Sequence, residues 1–434
     1  MSARAIIIAA PASGAGKTTI VCGLLRAFRK RGLRTAALKV GPDFIDPAFH
    51  AVASGQPCRN IDGWAMRPET LRQQVSAAAT GADIVIIEGV MGLFDGSASG
   101  EGSTADIAAL LDLPIMLVLD VRAQSASAAA VALGFARYRS DIQVIGVILN
   151  RLAGDRHRSM IEPAFERTGL KVLGGLKRNE ALELPSRHLG LVQAAEHPRL
   201  DTFLDEAAVA VEQSLNLDEI LRCARPVETS GSSPSVGLAP LGRHIAIARD
   251  EAFAFSYPHL IEAWREQNAT VSYFSPLADE PPDSAADSVY LPGGYPELHS
   301  ARLAAGTQWK SSLHAMAERG RLIYGECGGF MALGAELIDA NGSSHAMAGL
   351  LPLVSSFAAR RLHMGYRVVS FLKPLPFARE GELLRGHEFH YATSTQSASC
   401  ESLLRTEGET CGLVQGSVCG SFIHLIDREN TAGS

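Results

Sequence analysis

Two places along the chain combine reactive side chains with the glycines that a tight turn requires. The first is Ala9-Ala-Pro-Ala-Ser13-Gly14-Ala-Gly16-Lys17-Thr18-Thr19, set between a short apolar run and a segment of helical character from Ile20 to Arg31. The backbone N–H groups of such a loop, with the N-terminus of the helix it opens, hold phosphate oxygens. Lys17 would bridge the terminal phosphates of ATP, Thr18 would help to hold Mg2+, and Ser13, Gly14, Gly16 and Thr19 complete the cradle. A glycine-rich turn without ligand is the competing reading, and Gly16-Lys17-Thr18-Thr19 in this setting disfavours it. The second place is Leu322-Ile-Tyr-Gly325-Glu-Cys327-Gly328-Gly329-Phe-Met-Ala-Leu-Gly334. Glycines on both sides of a cysteine relieve the crowding of a sharp turn that exposes a nucleophile. A helix starting beneath the sulfur favours the thiolate. Burial as a structural thiol is the commoner fate of cysteine, but it would not call for glycine on either side.

Each centre needs partners. A thiolate needs a base, and His424 ends the apolar run Gly420-Ser-Phe-Ile-His424, which as a strand end would put it on the same sheet edge as the elbow. Backbone amides of Gly328 and of Gly294, the latter in Leu291-Pro-Gly-Gly-Tyr-Pro-Glu-Leu298, would form an oxyanion hole. Beside the phosphate loop, two clusters follow apolar runs: Lys39-Val-Gly-Pro-Asp43-Phe-Ile-Asp46 and Glu88-Gly-Val-Met-Gly-Leu-Phe-Asp95-Gly. Glu88 stands where a carboxylate can reach nucleotide-bound magnesium. Asp46 and Asp95, each taken alone, read equally well as turn or capping carboxylates. Asn150, at the end of a later run, would contact the adenine base, with a turn asparagine as the alternative. In Gly386-His387-Glu388-Phe-His390-Tyr391, strand alternation puts His387 and Phe389 on one face and Glu388 and His390 on the other. Contacts to a polar substrate, a metal site of no standard spacing and plain surface residues all remain open for this stretch.

The elements that must carry these groups are legible as apolar runs. In the first half Ala5–Ala9, Thr35–Lys39, Asp83–Ile87, Pro114–Leu119 and Gln143–Leu149 are continuously hydrophobic, with Lys171–Leu176 as an edge strand. Continuous rather than alternating hydrophobicity means burial on both faces, hence a parallel sheet covered by helices. Leu200 to Leu221 has helical periodicity and should close this domain. Pro226 to Gly242 is rich in Ser, Pro and Gly and sets no element. A second α/β series follows: His244–Ala248, Thr270–Phe274, Ser288–Leu291, Arg321–Tyr324, Tyr366–Phe371 and Gly420–His424. The expected domains are therefore 1–225 and 244–434, joined by a linker at 226–243.

Composition narrows the classes. A chain of 434 residues, 47% hydrophobic and 20% charged, is long enough for two or three domains with cores of their own. A net charge of -6 gives no electrostatic case for nucleic acid or a membrane surface. Seven scattered cysteines without a C-x-x-C pair argue against a disulfide framework or a zinc knuckle and point to a reducing cytoplasm. The apolar run at Ala5 is too short to span a bilayer.

Taken together, six ordered motifs resemble one family, the cobyrinic and hydrogenobyrinic acid a,c-diamide synthases of cobalamin biosynthesis. They are the phosphate loop at 10–19, GPDFIDP at 41–47, EGVMGLFDG at 88–96, LPGGYPEL at 291–298, GECGGFMALG at 325–334 and GHEFHYA at 386–392. The resemblance implies an α/β protein: a dethiobiotin-synthetase-like, P-loop parallel-sheet ATP domain followed by a flavodoxin-like class I glutaminase domain. It implies Cys327 as nucleophile and His424 as its base. It places Asp43, Asp46, Glu88 and Asp95 at the ATP, magnesium and carboxylate-activation site, with Thr18, Asp43 and Glu88 as metal ligands and Lys39, Asp46 and Asp95 on the substrate side. His387, Glu388, His390 and Tyr391 are assigned to substrate binding. The implied partners are ATP, glutamine and a corrinoid tetrapyrrole carboxylate, and a homodimer is left open. Ammonia made at one site and used at another implies a shielded passage. Two departures stand out: Ala10-Pro11 replaces the first glycine of the phosphate loop, and Ile426 replaces the glutamate that triad glutaminases carry two residues after the histidine. Rival readings are the same chemistry on nickel-sirohydrochlorin or in cobyric acid synthesis, and a P-loop ATPase switch, which would leave the second half unexplained.

Overall fold

In the computed structural model, residues 2–184, 186–187, 190–227, 237–396 and 400–429 are described. The chain divides into two compact units, Met1–Trp64 with Pro68–Ser235, and Ala65–Arg67 with Val236–Ser434. Residues 228–236 of the expected linker lie outside the described residues.

In the first unit β1 (Arg4–Ala9), β2 (Thr35–Val40), β3 (Arg59–Ile61), β4 (Ile84–Glu88), β5 (Ile115–Asp120), β6 (Val144–Leu152) and β7 (Lys171–Lys177) form one parallel sheet. Its order is β3-β2-β4-β1-β5-β6-β7, with Arg225–Pro226 antiparallel to the start of β1. β1, β2 and β4 are wholly or almost wholly buried, as continuous apolar runs require. Because β2, β4 and β1 are neighbours, their C-terminal ends bring the phosphate loop and both acidic clusters to one place. Helix α1 (Lys17–Lys30) follows the phosphate loop, and α2 (Asp46–Ser54) follows β2.

Two expectations need correction here. β3 carries Arg59 and Asn60 and has no apolar run to announce it. The helical stretch expected from Leu200 to Leu221 is two helices, α3 (Leu200–Ser214) and α4 (Leu217–Cys223). Asn216 breaks it by accepting the Glu219 amide as an N-cap. α3 packs closely on α1 because Gly23 leaves room: a Cβ there would lie 2.6 Å from Val211 and 2.8 Å from the Ala207 carbonyl oxygen.

In the second unit β8 (His244–Ala248), β9 (Thr270–Phe274), β10 (Ser288–Leu291), β11 (Leu322–Glu326), β14 (Leu413–Gln415) and β15 (Val418–Ser421) form a six-stranded sheet ordered β9-β8-β10-β11-β15-β14, parallel except at the last pair. A separate antiparallel sheet contains β12 (His363–Phe371), β13 (Leu383–His390) and β16 (Ile423–Arg428). The single strand expected over Gly420–His424 is thus two strands, and His424 belongs to the second. The chain leaves β15 beside the elbow strand, turns at Phe422 and enters the antiparallel sheet. Phe422 makes the turn with its ring edge-on to Phe330 of the core, centroids 5.2 Å apart. Short helix α5 (Gly328–Leu333) starts directly after Cys327.

Candidate active sites

At the end of β1 the phosphate loop turns through left-handed Gly14 (φ 75°) and Gly16 (φ 91°), conformations that glycine adopts without strain. The loop's opening, where glycine is replaced, is held instead by the chain after β4: the Leu93 amide donates to the Ala10 carbonyl at 2.8 Å. Asn150 donates its amide to the Ala15 carbonyl at 2.8 Å, and a Cβ on Gly16 would lie 2.3 Å from that nitrogen. Arg151 reaches the Gly14 carbonyl at 2.7 Å. Asn150 therefore braces the loop, a role that reading it as a base contact did not include. Ser13 is exposed, whereas the Thr19 hydroxyl turns away to the Leu182 carbonyl at 3.2 Å.

Beneath the loop lies a dense charge cluster. The Thr18 hydroxyl is 2.8 Å from Glu88 and 3.3 Å from Asp46. Lys39, only 3% exposed, contacts Asp46, stands 3.0 Å from Glu88 and lies 3.6 Å from Asp43. The carboxylates that reach Thr18 are thus Glu88 and Asp46. Asp43 instead accepts the Ile45 amide at 2.7 Å, a turn contact just ahead of α2. Asp95 similarly accepts the Gly92 amide at 2.8 Å.

The sequence reading missed His50. Fully buried one turn after Asp46 on α2, it bonds Glu88 through Nε2, while its Nδ1 is 3.5 Å from the Cys22 sulfur. Its i, i+4 spacing from Asp46 was the available signal. Burial opposes charge throughout this cluster, yet Asp46, Glu88 and Asp43 outweigh it at Lys39, which keeps its proton well above the usual range. Burial likewise works against Glu88, and Lys39 and His50 prevail to hold its carboxyl well below the usual range. Lys17 lacks so close a counter-charge. Burial and Lys39 draw its ammonium down to about 8 against the pull of Glu88, Asp46 and Asp95, and it donates to the Met91 carbonyl at 2.6 Å. A hydroxyl with carboxylate oxygens is the hard donor set that a magnesium ion accepts.

In the second unit Cys327 has φ 48° and ψ −106°, a left-handed conformation that costs a non-glycine residue on the order of 1–3 kcal/mol. The turn closes only because side chains are absent around it. A Cβ on Gly329 would lie 1.9 Å from the Leu291 carbonyl oxygen, and one on Gly328 would lie 2.9 Å from the Gly294 nitrogen. That second distance also puts the two proposed oxyanion donors, the backbones of Gly294 and Gly328, side by side. Gly293 clears the third side: its Cβ would lie 2.3 Å from His424 Cε1 and 3.3 Å from Cys327 Cβ.

Burial would push the His424 ring down. The Cys327 and Glu326 side chains beside it outweigh that and raise it to about 9. The ring is therefore poised to be cationic beside the Cys327 sulfur.

Strand β13 lies beside β16, with His387 opposite His424. Burial first, and His424 second, lower His387 to about 3, so it stays neutral. The Phe389 carbonyl is 3.9 Å from the Cys327 sulfur, which places this strand at the thiol. On the other face Glu388 is 2.9 Å from Arg367 and 3.2 Å from His390, whose ring stacks between His363 and Phe422. His363, Glu388 and His390 offer donor atoms within 4.8 Å of one another. The guanidinium already on Glu388 makes this a neutralised ion pair and a poor cation site. Tyr391 lies just past the end of β13.

A family model for the CobQ/CobB/MinD/ParA nucleotide binding domain matches residues 6–192, and one for the CobB/CobQ-like glutamine amidotransferase domain matches residues 244–431. The chain is 50% identical to a hydrogenobyrinate a,c-diamide synthase from Sinorhizobium sp, over 98% of this chain and 99% of that one. It is 51% identical to the hydrogenobyrinate a,c-diamide synthase of Rhodobacter capsulatus, over 98% of each. Among solved structures, the septum site-determining protein MinD of Pyrococcus horikoshii, complexed with Mg-ADP, aligns with 42% of this chain and 83% of its own at 16% identity and a TM-score of 0.30, a superposition too loose to bear on the fold.

Proposed function

The chain belongs to the hydrogenobyrinate a,c-diamide synthase family, and from that premise we propose that it amidates the a and c acetate carboxylates of hydrogenobyrinic acid, using ATP and glutamine. One observation carries the reading: the same chain holds a phosphate loop over a buried Lys39–Asp46–Glu88 cluster and a glycine-cleared thiol elbow beside a buried histidine.

A carboxylate is a poor electrophile, so it must first be phosphorylated. ATP lies along the phosphate loop, its terminal phosphates met by backbone amides and by Lys17, and its γ-phosphoryl group passes to an acetate oxygen to give an acyl phosphate and ADP. Thr18, Glu88 and Asp46 would hold a magnesium ion, which would neutralise phosphate charge. Lys39 fixes the carboxylates, and Asp95 holds the loop that meets Lys17 through Met91. Ammonia then attacks the acyl carbon and expels phosphate.

That ammonia comes from glutamine. The Cys327 thiolate attacks the side-chain amide, the Gly294 and Gly328 amides receive the oxyanion, and His424 protonates the departing nitrogen. The resulting glutamyl thioester is hydrolysed by water that His424 deprotonates. His387, Glu388, His390 and Tyr391, on or just past the strand whose Phe389 carbonyl is 3.9 Å from the thiol, would contact substrate. The free state of all seven cysteines is in keeping with a reducing, cytoplasmic setting, and among the described residues no helix is long and apolar enough to cross a membrane.

The test is direct: incubate the protein with ATP, magnesium and glutamine plus hydrogenobyrinic acid, cobyrinic acid or nickel-sirohydrochlorin, and read product masses. Two successive amidations of hydrogenobyrinic acid in preference to the others are expected. Amidation of another substrate alone would overturn the assignment.

A further inference from the structure

His424 is held between two acidic partners. Its Nε2 side faces Gly293 and Cys327, since a Cβ on Gly293 would lie 2.9 Å from that nitrogen. Its Nδ1 faces Glu326, whose Oε2 stands 3.6 Å away. Ile426, at the position where triad glutaminases carry the third member, is an apolar side chain only 1% exposed and can orient nothing by charge.

Glu326 is itself 2% exposed, and a carboxylate taken that far out of water must be held by donors. Three surround it. Tyr290 donates its hydroxyl to Oε2 at 2.7 Å, Tyr324 donates to Oε1 at 3.1 Å, and the Leu425 backbone amide donates to Oε1 at 3.2 Å. These come from β10, β11 and β16, so the carboxylate is fixed from three strands. The fourth direction is the imidazole. A separation of 3.6 Å is ion-pair contact short of a formed hydrogen bond, and such catalytic contacts commonly tighten once substrate is bound.

We propose that Glu326, the residue immediately before the nucleophile, is the positioning carboxylate of His424, completing a Cys327–His424–Glu326 triad from the elbow strand in place of the residue after the histidine. It fixes the ring so that Nε2 addresses the sulfur, and it stabilises the imidazolium. The proposal rests on the glutaminase reading of this unit and deepens it. It also accounts for a buried acidic residue at the end of an otherwise uncharged strand.

Glu326→Gln keeps the shape and removes the charge. It should lower kcat for glutamine hydrolysis by about a hundred- to ten-thousand-fold, with KM for glutamine little changed and ammonium-driven amidation intact. The titratable groups facing His424 are Cys327, Glu326 and His387, with Tyr290 and Tyr324 behind Glu326. Only the first two favour the imidazolium, so the alkaline limb of the glutaminase pH profile should move down in the variant. Alkylation of Cys327 by iodoacetamide, which needs no glutamine, should show the same displacement in its pH–rate profile. This second readout separates the pairing from the identity of the nitrogen donor: wild type that alkylates as expected but hydrolyses no glutamine would sink the functional reading and leave the triad standing. Ile426→Glu in the Glu326→Gln background should restore part of the lost rate. Retention of glutaminase activity within about threefold, an unmoved alkylation profile, or equal loss of the glutamine- and ammonium-driven reactions would overturn the proposal, the last by assigning Glu326 a purely structural role.

Discussion

At the end of β4 a lysine, two carboxylates and a histidine are packed together out of water. At the end of β11 a single cysteine sits in left-handed backbone with a histidine beside it and glycines all around. The nucleotide centre is built from charges that neutralise one another, so each member is needed to keep the others buried. The thiol centre is built from absences, so it depends on where Cβ atoms are missing. The two should therefore fail differently: the first through stability, the second through geometry with the fold intact.

The strongest test of that contrast is Lys39→Met. It leaves Asp46 and Glu88 buried without their shared cation, and the first unit should lose about 3–5 kcal/mol of stability, read as a lower urea midpoint of its transition. Gly293→Ala should do the converse. Its Cβ would displace the His424 ring, and a misplacement of that size should cost about a hundredfold in glutamine hydrolysis, with ammonium-driven amidation retained. Equal damage to both reactions would erase the distinction.

The smallest effect is in pH. The working forms are protonated at both centres, so each activity is lost as pH rises through the group's own value: about 8 for Lys17 and about 9 for His424. The kcat/KM for ATP, measured with ammonia held constant, should therefore turn down about a unit before the kcat/KM for glutamine. The order is what separates a lysine that burial destabilises from a histidine that a thiolate and a carboxylate sustain. Coincident limbs would contradict it.

Continuous apolar runs made β1, β2 and β4 legible in the sequence, and spacing made Lys17, Thr18 and Cys327 candidates. What stayed hidden was what depends on direction. β3 has two polar residues of three, and only its neighbour β2 makes it a strand. The turn at Phe422 is invisible within an apolar run, so His424 was placed in the wrong sheet. Glu326 lies inside a motif already read and His50 three residues past another, but periodicity does not say which way a buried acid or imidazole points. Asp43 and Asp46 looked interchangeable by type, and only the start of α2 turns one toward Thr18 and the other to the backbone.

That glutamine is opened at Cys327 while the carboxylate is activated beside Lys17 is tested most directly by one crossed assay: glutamine-driven amidation, ammonium-driven amidation and glutamine hydrolysis, measured for Cys327→Ala and Lys17→Ala. Cys327→Ala should lose hydrolysis and glutamine-driven amidation and keep the ammonium-driven reaction. Lys17→Ala should lose both amidations and keep hydrolysis of glutamine. Loss of ammonium-driven amidation in Cys327→Ala as complete as the loss with glutamine would contradict the division of labour between the two centres.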